Sequence, residues 1–154
     1  MYDTERIGKI VADIEKYLTE LDSYKITNKD SLFDGKTYNA SAMVVFAILN
    51  RVIDLGGEII SAENLGAPNS YQDIIPLLIK AGVINKIQGE KLNFLIKKRN
   101  VLAHFYEDIS EKDLFNMIRE IGLIKKFIVI MALLKISNKK DLSCALMPYN
   151  LILN

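Results

Sequence analysis

The sequence predicts an all-α fold, an antiparallel bundle of about five helices. Apolar residues recur three and four positions apart over long stretches, a spacing that places them on one face of a helix. Glycine, proline and small polar residues divide these stretches into five, and we find no convincing alternating pattern that would indicate a strand. At 154 residues the chain has the length of one domain, assigned to residues 1–138, with an apolar tail over residues 139–154.

The first helix is predicted from about Asp3 to Tyr24. Its apolar residues at helical spacing, separated mainly by Asp, Glu and Lys, are Ile7, Ile10, Val11, Ile14, Tyr17, Leu18 and Leu21. The following stretch, "TNKDSLFDGKTYNAS" at residues 27–41, is rich in turn-forming residues and is predicted to be a loop.

The second helix is predicted from about Asn39 to Asn64. Its first half, "ASAMVVFAIL", is apolar on all sides, and such a helix packs against more than one neighbour, often including a second subunit. The break "LGAPNS" follows, with Gly66 and Pro68 as stop signals. An all-round apolar helix and an apolar tail need more cover than one small bundle supplies, so we expect a homodimer.

The third helix lies in "YQDIIPLLIKAG", with Ser70 or Asn69 as its cap and Gly82 at its end. Pro76 within this segment predicts a kink or a short helix. The fourth helix begins near Asn85. Its apolar stripe consists of Leu92, Leu95, Ile96 and Leu102.

The fifth helix has the clearest start. Ser110 is the expected N-cap, Asp113 stands at the third helical position, and Ile109 and Leu114 are spaced to form a hydrophobic staple. The helix continues to about Ser137. The tail that follows contains "LMPYNLIL", which is too apolar to remain in solvent, so we expect it to dock on the bundle or on a partner chain.

The composition restricts the classes of function. There are 20 Lys and Arg against 19 Asp and Glu, whereas proteins that coat nucleic acid non-specifically are strongly basic, so any RNA contact must come from a local patch. The longest apolar run, "FIVIMALL", is far shorter than the roughly 20 residues that span a bilayer. A single cysteine, Cys144, excludes an intrachain disulfide, and one histidine with one cysteine argues against a zinc site. We expect a cytoplasmic protein.

The stretch "KKRNVLAHFYED", residues 97–108, contains the only histidine of the chain. Arg99 stands five residues before His104, and Tyr106 stands two residues after it. Because the fifth helix starts near Glu111, His104 lies in or just past the last turn of the fourth helix, where the helix dipole favours a protonated imidazole. Arg99 adds a permanent charge and a planar fork of donors. The pair offers a proton-transfer group beside an anion clamp.

This pairing suits cleavage of RNA without a metal. The 2′-hydroxyl attacks the adjacent phosphate while a histidine moves a proton, and an arginine stabilises the charge of the phosphorane. Asn100 is suited to bind a phosphate or to hold the histidine. Lys91, Lys97 and Lys98 give the segment a local basic character that fits a nucleic-acid backbone. The ordinary alternative is that His104 caps a helix end or lies on the surface, as most lone histidines at helix ends do.

The spacing of the three residues raises a geometric problem. Residues five apart on an ideal helix point about 140° away from each other, whereas residues seven apart share a face. Arg99 and Tyr106 would therefore align if the helix continued, and His104 would not. Either the helix loosens near Ala103, or a second copy of the chain completes the site.

An arginine, four residues, a histidine, one residue and a tyrosine, with a polar residue directly after the arginine, resembles the signature of HEPN domains. More closely, it resembles the HepT-type toxins of the HepT/MntA (HEPN/MNT) toxin–antitoxin family, the partners of MNT-type minimal nucleotidyltransferases. The segments "LGAPNSYQDIIPLLIKAGVI" and "LIKKRNVLAHFYEDI" also resemble the loop, third helix and motif helix of that family in order and spacing. The likeness extends over roughly residues 3–137.

The resemblance implies an all-α homodimer whose two motifs face each other across a cleft. It further implies a metal-independent endoribonuclease that needs no cofactor for cleavage and serves as the toxin of a toxin–antitoxin pair. Carried over by position, Arg99 and His104 are the catalytic residues, and Asn100 is the supporting polar residue. Tyr106 matches the tyrosine that the antitoxin, a nucleotidyltransferase using ATP and magnesium, modifies with AMP to silence the toxin.

Two other interpretations stay open. A non-catalytic HEPN dimer would hold a nucleotidyltransferase or a nucleotide and cut nothing, which the near-zero charge favours slightly and the intact Arg99 and His104 oppose. A structural helical dimer with an accidental motif is the third interpretation. A cleavage assay on cellular RNA separates the first two, and genomic adjacency to a small nucleotidyltransferase separates the third from both.

Overall fold

The computed structural model of the protein describes residues 2–104 and 109–137. Within these ranges the chain forms five α-helices and two short 3-10 helices, and no strand. The α-helices are α1 (Thr4–Ser23), α2 (Gly35–Glu63), α3 (Ile74–Lys80), α4 (Lys86–His104) and α5 (Glu111–Ser137), and the 3-10 helices are Lys29–Leu32 and Tyr71–Asp73. The predicted all-α bundle of five helices is confirmed. The predicted tail, which includes Cys144, lies outside the described residues.

Side-chain caps set the helix boundaries that the sequence predicted well. Asp3 accepts a hydrogen bond from the Arg6 amide at 2.9 Å, and Ser110 accepts one from the Asp113 amide at 3.1 Å. These bonds satisfy amide groups that have no partner within the first turn of a helix. At the end of α2, Asn64 takes the left-handed conformation, with φ 53°, that commonly terminates a helix.

The prediction of a loop over residues 27–41 is wrong in two places. A 3-10 helix occupies Lys29–Leu32, and α2 begins at Gly35, before the predicted start. Asn28 caps the first of these elements and Asp34 caps the second, each by accepting hydrogen bonds from backbone amides. Asn and Asp side chains that mark turns also cap helices, so residue composition did not distinguish the two structures.

The central helix of the bundle is α2, which packs against α1, α3, α4 and α5. Its buried side chains include Val44, Val45, Ile48, Leu49, Val52, Leu55, Ile59 and Ile60. Met43 is 64% exposed, so one face of the apolar first half of α2 is left uncovered by the described residues. Within the described ranges, no helix combines the length and hydropathy needed to cross a membrane.

A glycine allows α3 to approach α2 closely. A Cβ atom added to Gly56 would lie 2.4 Å from Cγ2 of Ile74, the first residue of α3. The short length of α3 agrees with the prediction from Pro76, and Gly82, with φ 68°, follows its end. The contact between Gly56 and Ile74 therefore fixes the position of α3 and of the 3-10 helix that precedes it.

Substitution Gly56→Ala is expected to lower the free energy of unfolding by roughly 1–3 kcal/mol, because the stiff side chain of Ile74 cannot yield without moving α3. Gly57→Ala is the matched control, since nothing lies within 4 Å of its Cβ position. The control should be neutral or more stable by up to about 1 kcal/mol. Urea unfolding followed by circular dichroism measures both, and equal stability of the two variants would contradict the close contact.

Candidate active site around Arg99 and His104

Helix α4 turns Arg99 toward the bundle. The four residues of the predicted apolar stripe, Leu92, Leu95, Ile96 and Leu102, are all buried. Arg99 follows Ile96 by three residues and precedes Leu102 by three, so it shares their face of the helix. Its side chain is half-buried and reaches α2 and the 3-10 helix at Tyr71–Asp73.

Two aromatic rings lie beside the guanidinium group of Arg99. Its Cζ lies 4.9 Å from the ring centroid of Phe46, on α2, and 5.4 Å from that of Tyr71. The faces of aromatic rings attract a cation. The two rings therefore stabilise the charge without using any of its N–H donors.

Amide side chains supply the polar partners of Arg99. Its Nε donates to Oδ1 of Asn50, on α2, at 2.8 Å, and its Nη1 donates to Oδ1 of Asn100 at 3.2 Å. Asn100 in turn donates through Nδ2 to the hydroxyl of Tyr71. Hydrogen bonds from Gln72 and Asn100 lower the pKa of the Tyr71 phenol, and the charge of Arg99 adds to this effect.

The guanidinium keeps donors for a further ligand. Arg99 has five N–H groups, and the bonds to Asn50 and Asn100 use two of them. The other three, two on Nη2 and one on Nη1, have no partner among the described residues. The group can therefore bind an oxyanion at its partly exposed end. Among the described residues, no three His, Cys, Asp or Glu side chains are grouped so as to hold a metal ion.

His104 is the exposed last residue of α4. The helix stays regular through this residue, so it does not loosen near Ala103, and Arg99 and His104 leave the helix about 140° apart. A single chain therefore directs the two side chains to different sides of α4, and completion of the site by a second copy stays a prediction.

Tyr106 lies outside the described residues. The description resumes at Ile109, whose carbonyl oxygen accepts a hydrogen bond from the hydroxyl of Tyr38 on α2. Burial raises the pKa of Tyr38, and the carboxylates of Glu111 and Asp113 raise it further. The far end of the connection between α4 and α5 is therefore anchored to α2.

The three lysines predicted to face RNA have different surroundings. Lys97 is exposed, and Nζ of Lys98 lies 5.9 Å from the ring centroid of Phe94. Lys91 forms an ion pair with Glu120 of α5 at 3.2 Å. Because this pairing offsets the charge of Lys91, the basic character of the segment is carried mainly by Lys97 and Lys98.

Phe46, Asn50 and Tyr71 are residues of this site that the sequence did not reveal. Asn50 lies 49 positions before Arg99, and the bond from Asn100 to Tyr71 joins residues 29 positions apart. One feature of the sequence pointed to a polar partner for Arg99, because helical spacing puts this arginine on an apolar stripe. A half-buried charge there requires polar partners from another helix, and Asn50 is a polar residue directly after the apolar run of α2.

A comparison with known protein families assigns most of the chain to one family. A family model described as ribonuclease HepT-like matches residues 14–131, a range that includes the whole described site. No curated protein sequence matches the chain significantly.

Solved structures share the fold at low sequence identity. YutE of Bacillus subtilis, a cytosolic protein of unknown function, has a TM-score of 0.78 at 21% identity, covering 94% of this chain and 99% of that one. A toxin–antitoxin structure with AMP-PNP has a TM-score of 0.73 at 17% identity, covering 86% and 99%. A tri-AMPylated HEPN toxin of Shewanella oneidensis, in complex with MNT antitoxin, has a TM-score of 0.59 at 18% identity, covering 80% and 99%. By its fold and by the match to the family model, the chain belongs to the ribonuclease HepT-like family.

Proposed function

We propose that the protein is a metal-independent endoribonuclease, acting as a homodimer and serving as the toxin of a toxin–antitoxin pair. The observation that carries this proposal is the guanidinium of Arg99, which lies beside two rings and donates to two amides, while three of its N–H donors have no partner among the described residues. The neighbouring motif residue His104 and the match to a ribonuclease family favour an RNA phosphate as that anion.

In the proposed reaction, the 2′-oxygen of the RNA forms a bond to the adjacent phosphorus, and the bond from phosphorus to the 5′-oxygen breaks. The 2′-oxygen loses a proton and the 5′-oxygen gains one, and His104 transfers a proton at one of these two atoms. Arg99 donates hydrogen bonds to the non-bridging oxygens, where negative charge grows in the phosphorane. The products are a 2′,3′-cyclic phosphate and a 5′-hydroxyl end, and no cofactor is consumed.

The proposed site combines Arg99 of one protomer with His104 of the other. Helical geometry supports this because one chain directs the two side chains to different sides of α4. Met43, Phe46 and Asn50, spaced three and four residues apart, share a face of α2 beside Arg99, and Met43 is 64% exposed. A second copy would cover this partly apolar face.

Tyr106 is proposed as the acceptor of AMP from a cognate MNT-type nucleotidyltransferase, which would use ATP and magnesium. The structurally similar HEPN toxin of Shewanella oneidensis is tri-AMPylated in complex with its MNT antitoxin, which supports this form of control. An adduct on Tyr106 adds a negative phosphodiester two residues from His104. This phosphodiester would compete with RNA for Arg99, and its bulk would obstruct the RNA strand.

A non-catalytic binding module is the second candidate. The near-zero net charge and the ion pair between Lys91 and Glu120, which weakens the local basic patch, favour it. In that case Arg99 would bind a nucleotide or the nucleotidyltransferase, and RNA would stay intact. Incubation of the purified homodimer with cellular RNA distinguishes the two candidates.

Arg99→Ala and His104→Ala are each expected to abolish RNA cleavage while the circular dichroism spectrum stays unchanged. Mixed dimers of the two variants should recover activity, because one of their two sites would contain both an intact Arg99 and an intact His104. Equal mixing should restore about a quarter of the wild-type rate, since half of the dimers are mixed and each has one complete site. A fluorogenic RNA measures the rate, and native mass spectrometry measures the dimers.

Cleavage by the wild-type protein should persist in EDTA, since the proposed steps use only side chains of the chain. Full activity of His104→Ala, or loss of wild-type activity in EDTA, would overturn the mechanism. An inactive mixture that contains mixed dimers would place the site within one chain. A monomer at micromolar concentration in sedimentation would count against the homodimer.

Tyr106→Phe is expected to remain a ribonuclease yet escape silencing by the cognate nucleotidyltransferase. The phenol contributes little to proton transfer, because the ordinary pKa of tyrosine is about 10. Intact mass of protein co-expressed with the active partner should show additions in AMP-sized steps, and these should be absent from Tyr106→Phe. Wild-type protein that gains no such mass with ATP and magnesium would exclude this control for the chain.

A further inference from the structure

The orientation of the Arg99 guanidinium depends on a residue from a different helix. Nε of Arg99 donates to Oδ1 of Asn50 at 2.8 Å, the shorter of the two hydrogen bonds that it forms with described residues. We propose that Asn50 is a positioning residue, whose side-chain carbonyl fixes the guanidinium so that Nη2 and the remaining Nη1 hydrogen face the RNA phosphate. This inference rests on the proposed ribonuclease function.

The two rings alone do not fix this orientation. Cζ of Arg99 lies 4.9 Å from the ring centroid of Phe46 and 5.4 Å from that of Tyr71, and the attraction of a cation to a ring face does not select particular N–H groups. A hydrogen bond to Nε does select one, because it fixes that edge of the guanidinium. Which N–H groups point toward a phosphate is therefore decided by Asn50, and small errors in such alignment slow catalysis strongly.

Arg99 differs from Arg6 and Arg51 in the chemical type of the side chains that accept its hydrogen bonds. Nε of Arg6 contacts Glu58 at 2.8 Å, and Nε of Arg51 contacts Asp13 at 3.0 Å. Both of those charges are offset by a carboxylate, as is usual for a structural ion pair. Among the described residues, the hydrogen-bond partners of Arg99 are neutral amides, which fix its orientation without offsetting its positive charge.

A second contact holds the opposite edge of the guanidinium. Asn100 accepts from Nη1 at 3.2 Å and donates to the hydroxyl of Tyr71, which orients the Asn100 amide with its oxygen toward Arg99. Asn50 lies within α2, a 29-residue helix, and is half-buried there. A rigid helix on one side and a hydrogen-bonded amide on the other form a fixed frame for the guanidinium.

The test compares two substitutions at Asn50 with matched controls at Asn116. Asn50→Leu removes the acceptor, whereas Asn50→Asp keeps an acceptor but offsets the charge. Asn116 is exposed on α5, whereas the residues that contact Arg99 lie on α2, on α4 and in the segment before α3, so Asn116→Leu and Asn116→Asp test the same changes outside the site. Kinetics on RNA and ¹H–¹⁵N spectra of the arginine Nε–H groups are measured for each variant.

Asn50→Leu is expected to lower kcat by roughly 10- to 100-fold, because the guanidinium loses its alignment. Asn50→Asp should instead raise KM roughly tenfold, since it holds Arg99 while weakening its bond to phosphate. Both Asn116 variants should stay within about twofold of wild type, because Asn116 holds no part of the proposed site.

The spectra test positioning even if the protein cleaves no RNA. Four arginines give four Nε–H signals, and Arg99→Lys assigns one of them. The Arg99 signal should exchange slowly with water in wild type and in Asn50→Asp, and rapidly in Asn50→Leu. Slow exchange in a folded Asn50→Leu, or wild-type kcat in that variant, overturns the proposal. If Asn50→Leu does not fold, wild-type KM in Asn50→Asp overturns it, and a raised KM with a retained signal supports it.

Discussion

The guanidinium of Arg99 occupies a position on α4 where helical spacing favours an apolar residue, and the rest of the site depends on holding that charge there. Removing a charge from water is unfavourable unless ring faces and polar atoms replace the solvent. The ring centroids of Phe46 and Tyr71 lie 4.9 and 5.4 Å from its Cζ, and Asn50 and Asn100 accept hydrogen bonds from two of its N–H groups. A leucine at this position would continue the buried stripe and would need none of these partners, which supports the proposed functional role of Arg99.

The frame around Arg99 depends in turn on how closely the helices pack. Asn50 is fixed by α2, whose opposite face forms the centre of the core. Tyr71 is fixed by the segment before α3, in which Ser70 and Asp73 form a capping box, and Gly56 lets α3 lie close against α2. A displacement of α3 would therefore move one ring of the site without touching Arg99. Packing far from the guanidinium thus affects its orientation.

The features predicted correctly from the sequence depend on local spacing: five helices, the buried stripe of α4 and the N-cap Ser110 of α5. The error over residues 27–41 arose because Asn and Asp close turns and also begin helices. The motif identified Arg99 and His104 through a family resemblance, and their roles stay predictions. Asn50 and Tyr71 were missed because they join the site through tertiary packing, which a single sequence without an alignment does not display.

The angular separation of Arg99 and His104 also bears on how such a protein would be controlled. Each chain holds a cation on one side of α4 and presents an imidazole at the end of the helix on another side. Under the proposed mechanism neither surface is complete alone, so association of two chains is the step that assembles a site. Tyr106 follows the imidazole by two residues in the sequence. Because the proposed site takes Arg99 from one chain and His104 from the other, the proposed AMP adduct on Tyr106 would act on a site that both chains build.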